Sequence, residues 1–314
     1  MIRNALAAIT LAVIGLQADA APLTLSSATK GSSSYSMALA VVGAAEKSGM
    51  DLRPQPFKSA SHGLGFVNTG EIDFGLDNAI ALRQAFMGQG KFAGAAMADL
   101  RLVARLQPMR MTLAVRAGSG ITSLADLRGK RLPSGFQTAV TGETLVSALL
   151  AAGGLGYDDV ERVPISDFTA MAEAFVDGKI DAMIHVIGSP RDDQVMRDVG
   201  SFLPLAVPAT DATKAALAEI FPEGSLVTVD PSPELATITA PLPALQYDFF
   251  IFTQASAPDA EVTAMIDALR AGKDDMAAAV ASLKWFDPEQ MRVEIGVPYH
   301  PAAEAFFKAN GTAE

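Results

Sequence analysis

One order of elements occurs twice in this chain, 108 residues apart, and that duplication limits the possible folds more than any single motif does. Gly70-Glu71-Ile72-Asp73 faces Gly178-Lys179-Ile180-Asp181, Ser26 faces Ser134, and Pro56 faces Pro164. In the first copy Leu23 to Ser27 reads as a strand, a Gly/Ser loop comes next, and Met37 to Lys47 carries a helix closed by Gly49. "DLRPQPF" from Asp51 reads as a second strand. A polar loop and a short helix then lead through Gly70 into a buried strand, Ile72 to Leu76. "KRLPSGFQTAVTGETLVSALLAAGGL" and "VERVPISDFTAMAEAFVDGKIDAMIHVIG" run through the same order again. A recurring unit of this kind is one building block used twice. Strand-helix-strand alternation implies parallel pairing with right-handed crossovers. The expected fold is therefore α/β in two similar lobes, each a mainly parallel sheet flanked by helices, with a cleft between them. Phe168, Met171, Ala172 and Phe175 follow the i, i+3, i+4, i+7 rule and are expected in the core.

Between the copies lies a strand, Thr112 to Arg116, and then a short helix begun by Ser123, with Asp126 three residues on in a capping-box pattern. Val115-Arg116 is the expected first crossing between lobes. After Gly188 come a helix, "FLPLAVP" and a polar, proline-marked span, until "YDFFIFTQ" at Tyr247 crosses back, with Phe250 to Phe252 at the crossing. Two helices, Asp259 to Arg270 and Lys273 to Leu283, and the tail "VPYHPAAEAFFKANG" complete the chain. The expected organisation is lobe I over 21–115 and 250–314 and lobe II over 116–249; 314 residues suffice for two cores. Residues 1–20 read as a signal peptide, with Arg3, an apolar stretch from Ala5 to Leu16, and cleavage after Ala18-Asp19-Ala20. That stretch falls well short of the roughly 20 residues that span a bilayer, so export to the periplasm is expected.

Composition narrows the function classes. A formal net charge of -11 repels phosphate backbones, which makes nucleic acid an unsuitable partner. The chain has no cysteine, which removes disulfides, thiol catalysis and cysteine-bound zinc. The three histidines, His62, His185 and His300, lie far apart without metal-ligand spacing, and neither a phosphate loop, a dinucleotide turn nor a nucleophile elbow is present. No cofactor, metal or catalytic residue is expected. The minor alternative is a periplasmic enzyme using His62, which neighbours Ser59 and Ser61, or His185.

The serine loops suggest binding instead. A strand that ends in a Gly/Ser loop and enters a helix gathers free backbone N–H groups and the positive end of the helix dipole at one spot. Open parallel sheets bind ligands outside the carboxyl ends of their strands. The first copy offers Gly31, Ser32, Ser33, Ser34 and Tyr35, then Ser59, Ser61 and Asn78; the second offers Ser134, Gln137, Thr138 and Thr141. Glu143 reads as a helix-dipole partner, while Lys30 and Lys58 flank the first-copy loops. Asp77 and His185 correspond at the 108 offset near their strand ends, and either could select a ligand. An Asp77 that faces the cleft would favour an amino group.

These pieces together resemble the TAXI family of extracytoplasmic solute receptors, the binding subunits of TRAP-type transporters. The resemblance covers Leu23 to about Gly311 and is carried by the Gly/Ser loop with Tyr35, "GEIDFGLDNA", "LAVRAGSGITSLADLRGKRLPSGFQTA", "GLGYDDV", "DGKIDAMIHVIGSP" and "GVPYHPAAEAFFK". It implies a two-lobed clamp of the type II periplasmic-binding-protein fold. Such a clamp traps a small solute, in known receptors mostly a carboxylate, and hands it to a membrane permease. It places ligand contacts on Gly31, Ser34, Tyr35, Ser61, Asn78, Ser134, Gly135 and Thr138, with the Gly188-Ser189 turn nearby. The chain departs from the family pattern in two places. Lys30-Gly31-Ser32-Ser33-Ser34-Tyr35-Ser36 replaces a Gly-x-x-x-Gly-x-Tyr-Tyr run, and Asp77 stands where a small or apolar residue is usual. An ABC importer or a sensor system is the alternative partner for the same fold.

Overall fold

The computed structural model describes residues 21–139 and 141–311, so the expected leader over residues 1–20 lies outside the described residues. The first copy folds as β1 (Leu23–Ser27), α1 (Ser33–Lys47), β2 (Leu52–Pro56), a 3-10 turn running into α2 (Leu64–Asn68), and β3 (Phe74–Asn78). Helix α3 (Ala79–Met87) and the long strand β4 (Leu100–Arg116) lead to the second copy. That copy comprises β5 (Arg131–Gly135), α4 (Gly142–Ala152), β6 (Glu161–Ile165), α5 (Phe168–Val176) and β7 (Ala182–Val186). Strands β1 and β5 begin 108 residues apart, as do β3 and β7.

The Gly-x-Ile-Asp echo has a physical cause. Asp73 accepts the Thr24 N–H at 2.7 Å and its hydroxyl at 2.8 Å, fastening the approach to β3 onto β1. Asp181 does the same for β7 and β5, accepting the Arg131 N–H at 2.8 Å and its guanidinium at 2.5 Å. A short carboxylate just before a strand can reach a nearby strand's backbone; for β3 and β1 the bond joins paired strands, and for β7 and β5 it ties the main sheet to the separate β5–β6 pair.

The main sheet runs β2-β1-β3-β10-β4-β7, where β10 is Leu242–Gln254; β8 (Phe202–Pro204) pairs with β4 and β9 (Ser225–Val229) with β10. Strands β5 and β6 form a separate parallel pair. The expected parallel pairs β1–β2, β1–β3 and β5–β6 are all present, but β10 and β4 are laid antiparallel between the copies, so the main sheet is mixed. Both long strands exceed the stretches expected at Thr112 and Tyr247. Strand β4 runs through Pro108, which has no N–H to give to the ladder. In the fold it pairs with Asp248, next to the register shift between Phe249 and Phe250. Strand β10 pairs with β9 over Leu242–Gln246 and with β3 over Phe249–Phe252, while β4 takes up β7 from Met111 to Val115. The chain therefore passes between the copies near Met109 and Tyr247.

The capping box is formed as read: Asp126 accepts the N–H and hydroxyl of Ser123, both at 2.9 Å. Helix α1 starts four residues before Met37 because Ser32 accepts the Tyr35 N–H and caps it. The polar, proline-marked span holds three elements besides α6 (Pro190–Asp198) and β8: helix α7 (Asp211–Ile220), capped by Thr210, strand β9, and a loop carrying Thr237. Helix α8 (Asp259–Ala271) is close to expectation, whereas α9 (Lys273–Ala279) stops short of Leu283 and α10 (Pro301–Ala309) closes the chain. Leu25, Met37, Leu76, Phe175, Phe250 and Phe252 are fully buried and anchor one continuous core around both faces of the sheet. No helix among the described residues is long and apolar enough to cross a membrane.

Candidate functional site

Six short strands end at one gap. The cavity there is walled by Ala28, Thr29 and Ser32–Ser34 after β1, by Lys58–Ser61 after β2, and by Asp77 and Asn78 at the end of β3. The second copy supplies Ala139 and Thr141 after β5, Asp167–Thr169 after β6, and Ile184, Val186 and Arg191 around the end of β7. Met109 of β4 and Tyr247 and Phe249 of β10, the residues at the passage between copies, form the floor. Its volume of about 100 Å³ is well above the roughly 10–15 Å³ needed to admit one water and leaves room for a small solute.

Each wall is set by local sequence. Gly31 has φ +85°, which turns the chain out of β1 and into α1 without the strain a side chain would add. Ser33 Oγ lies 2.5 Å from Ser189 Oγ, a hydrogen bond that joins the two copies across the mouth. Ser34 Oγ is buried and has no hydrogen-bond partner. Asn78 caps α3 by accepting the Ala81 N–H at 3.0 Å and donates its Nδ2 to Asp77 at 2.7 Å. Asp77 also accepts the Asn78 N–H at 2.7 Å and the Ser61 hydroxyl at 2.8 Å. Burial nevertheless pushes its carboxyl up to about 7, because desolvation outweighs those three bonds. Burial also raises the neighbouring Tyr247 phenol, and the Asp77 charge adds to that.

Of the residues expected at the site, Ser32, Ser33, Ser34, Ser59, Ser61, Asn78 and Thr141 line the cavity, as do Asp77 and Lys58. The others sit elsewhere. Gly31 lines an adjoining groove between the Lys30 turn and helices α5 and α6. Tyr35 is half-buried in the first turn of α1, and Ser134 is buried within β5. The Gly135 N–H donates to Glu143 at 2.5 Å, and Thr138 donates both its N–H and its hydroxyl to the Ser166 carbonyl. Glu143 thus caps the β5 exit and pairs with Arg162. Gln137 is exposed, and Ser189 is engaged by Ser33.

His185 holds the same place in β7 as Asp77 in β3, fourth of five residues near the strand end, but it is fully buried away from the cavity, with Nδ1 3.1 Å from Asp192 and Nε2 3.0 Å from the Thr237 hydroxyl. Its ring packs edge-on against Phe202. Asp192 is equally buried; burial raises its carboxyl, but Arg191, His185 and the Val186 N–H together hold it below the usual range. His62 is exposed, its Nδ1 3.2 Å from Ser59 Oγ. Phe168, expected in the core, is only half-buried: its ring lies tilted against Phe136, 5.5 Å between centroids, and it lines the cavity. Sequence reasoning missed Arg191, whose guanidinium pairs with Asp192 at 2.5 Å and donates to the Phe168 carbonyl at 3.3 Å. Its signal was the Gly188-Ser189-Pro190-Arg191 turn, in which a proline opens a helix at a strand exit. Lys91 reaches from the first copy to donate to the Phe136 carbonyl at 2.8 Å, and Phe136 holds φ +38°, the one non-glycine residue with positive φ among the described residues.

The fold is that of solved solute-binding proteins. The alkanesulfonate-binding protein SsuA from Xanthomonas axonopodis pv. citri, bound to MOPS, superposes with a TM-score of 0.55 at 19% identity over 95% of this chain and 96% of that one. MatC from Rhodopseudomonas palustris with bound malate gives 0.56 at 14% identity, covering 85% of this chain and 92% of that one. A further R. palustris protein with adipate gives 0.56 at 16% identity over 93% of both chains. At these identities the likeness establishes an α/β architecture of the periplasmic-binding-protein type. The sequence itself matches a family pattern over residues 25–311, and the chain belongs to the NMT1-like family.

Proposed function

We propose that this protein is an extracytoplasmic solute receptor: it closes on a small, acid-bearing metabolite between two lobes and delivers it to a TRAP-type membrane permease, as the TAXI resemblance implies. The observation that carries this reading is the cavity, to which the strand exits of both copies contribute together with the middles of β4 and β10. The expected boundaries at 115/116 and 249/250 lie on those two strands but a few residues past the passage near Met109 and Tyr247, since Val115 pairs within the second copy and Phe250 to Phe252 within the first; bending at the passage would open and close the gap. Ser32, Ser33, Ser34, Ser61, Asn78 and Thr141 are among the wall's hydroxyl and amide groups, and Lys58 is its cation without a carboxylate partner among the described residues. The relatives of the same fold hold a sulfonate, malate and adipate, all small acids. Residues 1–20 would direct export to the periplasm.

Mass spectrometry of the solute released on denaturing the purified protein tests the reading directly. A small organic acid in near-stoichiometric amount is expected. In a thermal-shift screen, a binder at 100 times its dissociation constant adds roughly 2.7 kcal/mol. Replacing Ser34 or Thr141 with a bulky residue should abolish that shift, and unchanged binding in both variants would move the site elsewhere. Capture by membranes holding a TRAP permease, and not by those holding an ABC importer, identifies the partner.

A further inference from the structure

The most deeply buried ionisable group in the cavity wall is a carboxyl with no cation bonded to it. Asp77 is 1% exposed and takes its hydrogen bonds from neutral donors alone, Ser61 and Asn78. Among the described residues no cationic side chain contributes to holding it. Its Oδ1 accepts twice and its Oδ2 once, so one lone pair of Oδ2 stays open in a residue that lines the cavity. A buried carboxylate in this position is costly until a positive partner arrives.

The same cavity presents the opposite polarity at the start of α1. Ser34 Oγ is buried without a partner, and of the first-turn N–H groups only that of Tyr35 is taken up, by the Ser32 cap, which leaves those of Ser33 and Ser34. Arg191, across the cavity at the β7 exit, is already neutralised by Asp192, and Met109, Ile184 and Phe249 supply apolar surface. The wall's other carboxylate, Asp167, is spent on capping α5, so Asp77 on one side and a donor-rich positive helix end on the other match a ligand that carries both charges.

Resting on the reading of this cavity as a solute site, we propose that Asp77 is its specificity-determining residue: it selects solutes that carry a protonated nitrogen besides their acid group. The ammonium pairs with Asp77 Oδ2, and the acid group sits at the start of α1 on Ser34. A dicarboxylate would bring its second anion against Asp77 and is rejected by like charge. This separates the site from those of the malate- and adipate-bound relatives.

Calorimetric titration of the ligand-stripped protein with matched acids tests the proposal. L-alanine, L-valine and γ-aminobutyrate carry the amine; propionate, isovalerate and butyrate lack it, and succinate carries a second carboxylate. Amine-bearing acids should bind the wild type at least about tenfold more tightly than their amine-free partners. Asp77→Asn, which keeps the side chain's shape, should bring the two sets within about threefold of each other. A second readout needs no variant. The affinity of the wild type for amine-bearing acids should fall as the pH drops from 8 to 5.5 and Asp77 takes up a proton, with the amine-free acids run in parallel. Those controls report any contribution from Tyr247, Arg191, Lys58 and Asp167, the other ionisable groups of the wall. Equal or tighter binding of amine-free acids or succinate, or a preference that survives in Asp77→Asn, overturns the proposal and leaves solute capture standing. Binding of neither set overturns both.

Discussion

At the scale of single residues, burial decides what each ionisable group does. Asp77 and His185 occupy equivalent positions at the 108 offset, yet one lines the cavity and the other is enclosed between Asp192, Thr237 and Phe202. The difference lies in the segment after each strand. Beyond β3 the chain turns into α3 with Asn78 as cap, whereas beyond β7 Asp192 in the first turn of α6 reaches back to bond His185 and the Val186 N–H. The elevated Asp77 carboxyl has a thermodynamic consequence with a definite sign. Folded Asp77 stays protonated up to about 7, while in the unfolded chain it ionises near 3.8, so folding takes up a proton between those values. Its contribution to stability is fully present below pH 3.8 and is lost as the pH rises through 7. The loss is on the order of 4 kcal/mol at pH 8. Urea unfolding of the ligand-free protein at pH 5 and pH 8 should therefore show Asp77→Asn gaining stability relative to wild type at the higher pH. A pH-independent difference between the two would contradict a buried, unpaired Asp77.

At the scale of elements, the two copies share one fastening device, and it can be tested in each separately. Asp73 ties β3 to β1 through Thr24, and Asp181 ties β7 to β5 through Arg131. Substituting either aspartate by alanine leaves strand donors unpaired and should cost about 1–3 kcal/mol. The two sites share no partner, so the double variant should lose the sum of the single losses within about 0.5 kcal/mol by urea denaturation. A much smaller combined loss would mean that the two sheets are not independently fastened. The echo that exposed the repeat in the sequence is thus the trace of a structural requirement: glycine permits the turn and aspartate locks the next strand. Helix α7 and strand β9 left no such trace. Their stretch reads as polar loop because β9 is only partly buried and gains its place by pairing with β10.

At the scale of the whole molecule, the cavity is held shut by few bonds between the copies. Ser33 meets Ser189, Lys91 meets the Phe136 carbonyl, and Arg83 pairs with Glu223 at 2.8 Å. If the receptor works by closure, these bonds favour the closed form without touching the core. Ser189→Ala combined with Lys91→Ala should enlarge the ligand-free radius of gyration in small-angle scattering. It should also weaken solute binding by about 3- to 30-fold through faster release. Unfolding midpoints should barely move. Unchanged scattering together with unchanged affinity would remove these contacts from any role in closure.

Periodicity, turn residues and the repeat in the sequence specify two strand-helix-strand units, the order of most elements and the hydroxyl-rich loops after β1 and β2, because those features are encoded locally. Ser123 with Asp126 and Ser32 before α1 are readable for the same reason: a cap needs only neighbours within one turn. Tertiary structure alone decided which loops meet. Thr141 and Arg191 reach the cavity while Gln137 and His185 do not, and no local pattern separates them. Nor could spacing reveal that β4 continues through Pro108 and carries Met109 to the cavity floor, since that depends on pairing with β10, more than a hundred residues downstream. Local propensities act over a few residues. Burial and strand pairing act between segments far apart in the chain, and they determine which side chains face the gap.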